Sequence, residues 1–124
     1  MHVITPLPDH VIATPNAVMT GLAAPSRGSA ELSTWQVRMG PGSSGPEHTV
    51  DREQVWTVTA GALEVTAGGR TETLGAGETL VLPAGVLRQV RAVAEPVEAL
   101  VAMRSDGLVS VPGGGEARPL PWAQ

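Results

Sequence analysis

Three side chains equipped for chemistry fall in two glycine-bounded stretches. The first runs Gly42-Ser-Ser-Gly-Pro-Glu-His48-Thr-Val50-Asp-Arg-Glu-Gln54-Val-Trp56. Its imidazole, His48, titrates near neutral pH and can act as acid or base. Its amide, Gln54, has no acid–base chemistry but can orient a ligand or polarise a carbonyl by donating a hydrogen bond. The second stretch, Gly77-Glu-Thr-Leu-Val-Leu-Pro83-Ala-Gly85-Val-Leu-Arg88, ends in a guanidinium. An arginine turned into an apolar interior must be paired, hydrogen-bonded or open to water. Arg88 is therefore a clamp for a carboxylate, enolate or phenolate of a small ligand. Otherwise it is an internal partner of a carboxylate such as Glu47 or Asp51, or it sits at a wet mouth.

This set is poor for a metal. Divalent transition metals prefer three or four imidazole, carboxylate or thiolate donors. His48 and Gln54 are weak candidates alone, and a guanidinium cannot ligate and repels a dication. The expectation is no metal cofactor, with a divalent ion in a rearranged site as the alternative. The chain has no Cys, Phe or Tyr, so thiolate, disulfide and tyrosyl chemistry are absent. No serine sits in a nucleophile elbow beside His48. The glycines at 113 to 115 have no following lysine or strand-to-helix context and do not make a phosphate loop.

Short strands must position these residues. Glu31 to Met39 alternates, with Trp35, Val37 and Met39 on one face. Gln54 to Thr59 is the next strand, and its period turns Gln54 and Trp56 to the same side, with Glu53 opposite. Trp56 and Trp35 are therefore candidate cavity walls. Ala62–Ala67 follows, then a Gly68-Gly69 hairpin and Arg70–Leu74. Thr79–Leu82 reads as a buried strand, Val86–Val93 and Val97–Met103 as further strands. Asp51-Arg52-Glu53 reads as a solvated turn, and residues 21–29 as a loop. Val11–Met19 is an edge strand or a swapped arm. No stretch has clean helical periodicity, and evenly spaced strands with glycine turns indicate an antiparallel sandwich or small barrel.

The two stretches resemble the paired motifs of the cupin superfamily. Gly42, His48, Gln54 and Gly61 fit the first motif, and Gly77, Pro83 and Gly85 the second. Val50 stands where the first motif has its second histidine, and Arg88 stands where the second motif has its histidine. The resemblance implies an all-β, antiparallel cupin-type β-barrel, a double-stranded β-helix or jelly roll. It implies one domain over residues 1–124, with an N-terminal arm over about 1–29 and an irregular tail over about 107–124. It also implies a degenerate metal site and a homodimer, the exposed sheet edges needing cover.

The charge balance, 8 basic against 12 acidic residues with no lysine, gives a net charge of -4. Scattered arginines form no stripe for nucleic acid. No run has the length of a membrane span, and no leader pattern opens the chain, so a cytoplasmic protein is the default expectation. The expected function is a metal-independent small-molecule enzyme. Arg88 and Gln54 would hold a small anionic or enolisable substrate and His48 would move a proton, in isomerisation, cyclisation or decarboxylation. The alternatives are a non-catalytic small-ligand-binding domain and a metal enzyme such as a dioxygenase.

Overall fold

The computed structural model describes residues 1–93 and 95–124. Strands dominate, and every strand pairing is antiparallel. They are β1 (Val11–Ala13), β2 (Val18–Gly21), β3 (Leu32–Met39), β4 (Thr49–Val50), β5 (Gln54–Ala60) and β6 (Ala62–Ala67). Then follow β7 (Arg70–Gly75), β8 (Thr79–Leu82), β9 (Arg88–Ala92), β10 (Val97–Arg104), β11 (Leu108–Ser110) and β12 (Arg118–Pro119). One sheet has the order β1-β2-β3-β10-β5-β8, and two smaller sheets run β7-β6-β9 and β12-β11-β4. Among the described residues the only helices are three single 3-10 turns. None is long and apolar enough to cross a membrane.

Side-chain alternation builds the core. On β3, Trp35, Val37 and Met39 are buried while Gln36 and Arg38 face outward. Leu63 and Val65 on β6 and Val90 and Ala92 on β9 meet them from the smaller sheet, so both layers share one apolar cluster. The Gly68-Gly69 hairpin forms as the pattern requires. Both glycines take positive φ, 56° and 76°, the geometry that matches the twist of a two-residue hairpin.

The structure corrects some expectations and sharpens others. Thr79–Leu82 is a sheet-edge strand rather than a buried one: Leu82 is buried, but Val81 is 54% exposed. A short apolar run does not distinguish a buried strand from an edge strand that keeps one face wet. The tail carries two short strands and a 3-10 turn on either side of residues 111–117, which lie outside strand and helix. β11 pairs with β4 and β12, and Leu120 and Ala123 join the core. The Ser33 hydroxyl donates to the Ala123 carbonyl at 2.6 Å within the interior, and the Ser26 hydroxyl donates to the Gln124 carbonyl at 2.6 Å. Asp51-Arg52-Glu53 is an exposed bend, as expected, with added anchors: Arg52 makes a two-pronged contact with Asp106 at 3.1 Å, and Asp51 accepts from the Leu108 amide at 2.7 Å. Val11–Met19 is not one edge strand but spans two. β1 and β2 form a hairpin around Pro15-Asn16 at one side of the large sheet.

Candidate functional site

The site begins with a strand pairing. His48 and Arg88 exchange both backbone hydrogen bonds, at 3.0 and 2.9 Å, so their side chains leave the same face. On β5 the two-residue period turns Gln54 and Trp56 into the interior with them. The Pro83-Ala-Gly85-Val86 turn then wraps the guanidinium. Gly85 takes φ 78° and donates its amide to the Val50 carbonyl at 2.8 Å. This aims two carbonyl oxygens at Arg88: Nε donates to Val86 at 2.7 Å and Nη2 to Pro83 at 2.8 Å. Nη1 donates to Gln54 Oε1 at 3.3 Å.

Arg88 is 1% exposed, and no carboxylate pairs with it among the described residues. The expected partner, Glu47 or Asp51, is not used. The charge is held by three neutral acceptors, an arrangement suited to the planar fork of a guanidinium. Burial lowers the Arg88 pKa from its ordinary value, far above the physiological range, so the group stays charged.

Gln54 is fixed by its neighbours. Its Oε1 accepts from the Trp56 indole N–H at 3.2 Å as well as from Arg88, which uses both lone pairs. Its Nε2 donates towards Met103 Sδ at 3.6 Å, leaving one amide N–H for a ligand. His48 is fixed as well. Its Nδ1 lies 3.0 Å from the Pro46 carbonyl, which can only accept, so Nδ1 carries the proton and Nε2 keeps its lone pair. Burial lowers the His48 pKa most, and the Arg88 charge lowers it further, against the opposing pull of the Pro46 carbonyl. The imidazole is therefore neutral at pH 7.

A cavity of about 500 Å³ opens beside these groups. His48, Gln54, Trp56 and Trp35 all line it, with Met39 and Val90 in the same wall. Arg88 does not. It stands behind Gln54 and borders a separate hollow of about 350 Å³ near the Gly68-Gly69 turn. The structure thus brings together four of the five expected site residues at the cavity and puts the fifth in the layer that supports them. The reason is local: the Pro83–Val86 turn engages the guanidinium through two backbone carbonyls.

Sequence reasoning missed the far wall. Thr14 and Asn16 from the β1–β2 turn and Arg118 and Trp122 from the tail close the cavity. The Trp122 indole N–H is buried with no acceptor among the described residues. The available signal was the Pro119-Leu-Pro-Trp122 run itself, whose apolar residues need burial although its prolines mask any strand period.

The residues do not fit the metal that the cupin motifs imply. Among the described residues at the motif positions, His48 Nε2 is the one free strong metal donor, Gln54 Oε1 is already saturated, and Val50 and Arg88 occupy the other two positions. No group of three His, Asp or Glu side chains among the described residues is arranged to hold an ion. One imidazole beside a buried guanidinium is not a dication site.

Comparisons with known proteins agree on the fold. The Cupin domain family model matches residues 35–103. KdgF from Halomonas sp. superimposes with a TM-score of 0.67 at 19% identity, covering 83% of this chain and 86% of that one. The polyketide cyclase RemF from Streptomyces resistomycificus gives 0.70 at 19% identity, covering 86% and 72%. Oxalate decarboxylase from Bacillus subtilis gives 0.73 at 19% identity, covering 83% of this chain but only 29% of the larger enzyme. No curated protein matches. With a family model spanning more than half of its length, the chain belongs to the cupin domain family.

Proposed function

We propose that the cavity takes a small, mostly apolar organic molecule carrying an enolisable or acidic group, and that His48 moves a proton on it without a metal. The carrying observation is the fixed His48 tautomer: Nδ1–H is held by Pro46, and a neutral Nε2 lone pair remains on a residue that lines the cavity. In this reading Nε2 takes a proton from carbon next to a carbonyl. The electron pair moves to the carbonyl oxygen, where the free Gln54 N–H stabilises it. Return of the proton to a different atom completes an isomerisation, and attack of the enolate on a second carbonyl gives cyclisation. Decarboxylation forms the same enolate by loss of carbon dioxide, and the enolate carbon then takes its proton from water, since neutral His48 has none to give at Nε2. Arg88 is a positioning residue here, holding Gln54 and adding its charge to the burial that lowers the imidazole pKa. The fold also carries a polyketide cyclase, so cyclisation is a chemistry it accommodates; the oxalate decarboxylase that shares the fold has Mn(II) centres and lends no support to a metal-free route.

A panel of aromatic β-dicarbonyl compounds in deuterated buffer tests this by NMR. Exchange of the acidic C–H that is catalysed by the wild type and lost in His48→Gln, with binding retained, is the expected result. Binding without exchange or turnover across the panel favours a ligand-binding module.

A further inference from the structure

Seven of the eight arginines are engaged through their side chains. Arg38, Arg52, Arg70, Arg91 and Arg104 hold carboxylates, and Arg27 and Arg88 hold carbonyl oxygens. Arg118 makes no side-chain hydrogen bond or ion pair with any described residue, and it lines the cavity. No Asp or Glu lines that cavity, and His48 is neutral. One free cation therefore borders an apolar, acid-free cavity in a chain whose net charge is -4.

The placement sets the polarity of the ligand. Arg118 lies on β12, whose exposed residues mark the outer end, while Gln54 is 2% exposed and marks the inner end. The Arg118 backbone is registered opposite Val109, and the adjoining Leu120 is anchored in the core. The guanidinium therefore hangs from a fixed point rather than from a loose tail. Trp122 brings an indole N–H without an acceptor to the same wall. A polar inner end with one hydrogen-bond donor and one lone pair, apolar aromatic walls, and a lone cation at the rim are complementary to an elongated monoanion.

We propose that Arg118, not Arg88, reads the charge of the ligand. The ligand is an aromatic or otherwise flat monoanion whose carboxylate or sulfonate stays at the mouth beside Arg118 while its uncharged end enters towards His48 and Gln54. This rests on the cavity being the binding site, as in the reading above. It adds the substrate class and a residue that determines specificity.

The test uses 2-naphthoate and its uncharged analogue 2-naphthamide, titrated against tryptophan fluorescence of the full chain. A rim charge contact is worth up to about 1 kcal/mol, close to a fivefold preference. The wild type is expected to bind naphthoate about fivefold more tightly than naphthamide, with the preference shrinking at high salt. Arg118→Gln should abolish the preference by weakening naphthoate more than naphthamide, and Arg118→Lys should keep part of it. Arg118 is exposed, so neither variant threatens folding. Equal affinities for both probes in the wild type, or a preference that survives Arg118→Gln, overturn the assignment of Arg118 and leave the cavity reading intact. Failure of both probes to bind overturns the cavity reading and this inference together.

Discussion

Replacing Arg88 with methionine keeps much of the side-chain volume and removes the charge. The loss can be worked from its contacts. Two backbone carbonyls, Pro83 and Val86, and Gln54 Oε1 each lose a donor. An unsatisfied buried acceptor costs about 1–3 kcal/mol; the two carbonyl contacts are only part-buried and fall at the low end of that range, so the three give roughly 3–6 kcal/mol. Against this, removing a buried guanidinium recovers several kcal/mol of desolvation. Gln54 also keeps its bond from Trp56. The net loss is about 2–4 kcal/mol, a large share of the roughly 5–15 kcal/mol that holds such a domain folded. For a chain of this size that lowers Tm by about 10 °C. Arg88→Lys is expected to recover little, because an ammonium cannot span three acceptors in one plane. A second readout separates this from generic core damage. Arg88 helps to depress the His48 pKa, so in Arg88→Met that pKa should rise part of the way towards its ordinary value, since burial, the larger cause, stays. Thermal unfolding and an NMR titration of the His48 ring protons check both effects. An unchanged Tm together with an unchanged His48 pKa would show that Arg88 is neither buried among these acceptors nor coupled to the imidazole.

Ser33→Ala strands the buried Ala123 carbonyl and should cost about 1–2 kcal/mol, with faster hydrogen exchange confined to the tail; global exchange instead would contradict the tail's separate anchoring. At Gly61, φ is 74° and a Cβ would collide with the Pro96 carbonyl oxygen, so Gly61→Ala should lose at least about 2 kcal/mol by denaturant unfolding, and a neutral substitution would refute the close approach. The homodimer remains a proposal. The β1–β2 hairpin closes within its own chain, so pairing is expected through sheet surface such as exposed Leu100 and Val81 rather than by arm exchange, and a one-chain mass in light scattering at micromolar concentration would exclude it.

The strands were legible because their period is. Trp35, Val37 and Met39 declare one buried face, and Gln54 and Trp56 declare another. Most of the near wall of the cavity follows from those alternations and the motif frame. The place of Arg88 was not legible. Which acceptors surround an inward arginine depends on how the Pro83–Val86 turn points its carbonyls, and no residue type in that turn announces it. Arg118 and Trp122 were hidden for another reason. They act through a tail whose prolines erase the strand period, and whose order comes from distant partners, β4 and Ser33. Edge strands such as Thr79–Leu82 show the same limit, since exposure is a property of neighbours rather than of the segment.

The central claim is a neutral, metal-free His48 whose Nε2 is available to a ligand. Nitrogen-15 NMR of the imidazoles reads it directly, and only His2, His10 and His48 contribute signals. The folded-state pKa is depressed, so the unfolded chain takes up the proton first. Stability linked to His48 is full above its unfolded pKa of about 6.5 and is lost as pH falls through the lower folded value. The account predicts an Nδ1–H tautomer for His48 at pH 7, protonation only below about pH 6.5, and spectra that a chelator leaves unchanged. An Nε2–H tautomer, an imidazolium at pH 7, or a His48 signal that shifts when a chelator strips bound metal would contradict it.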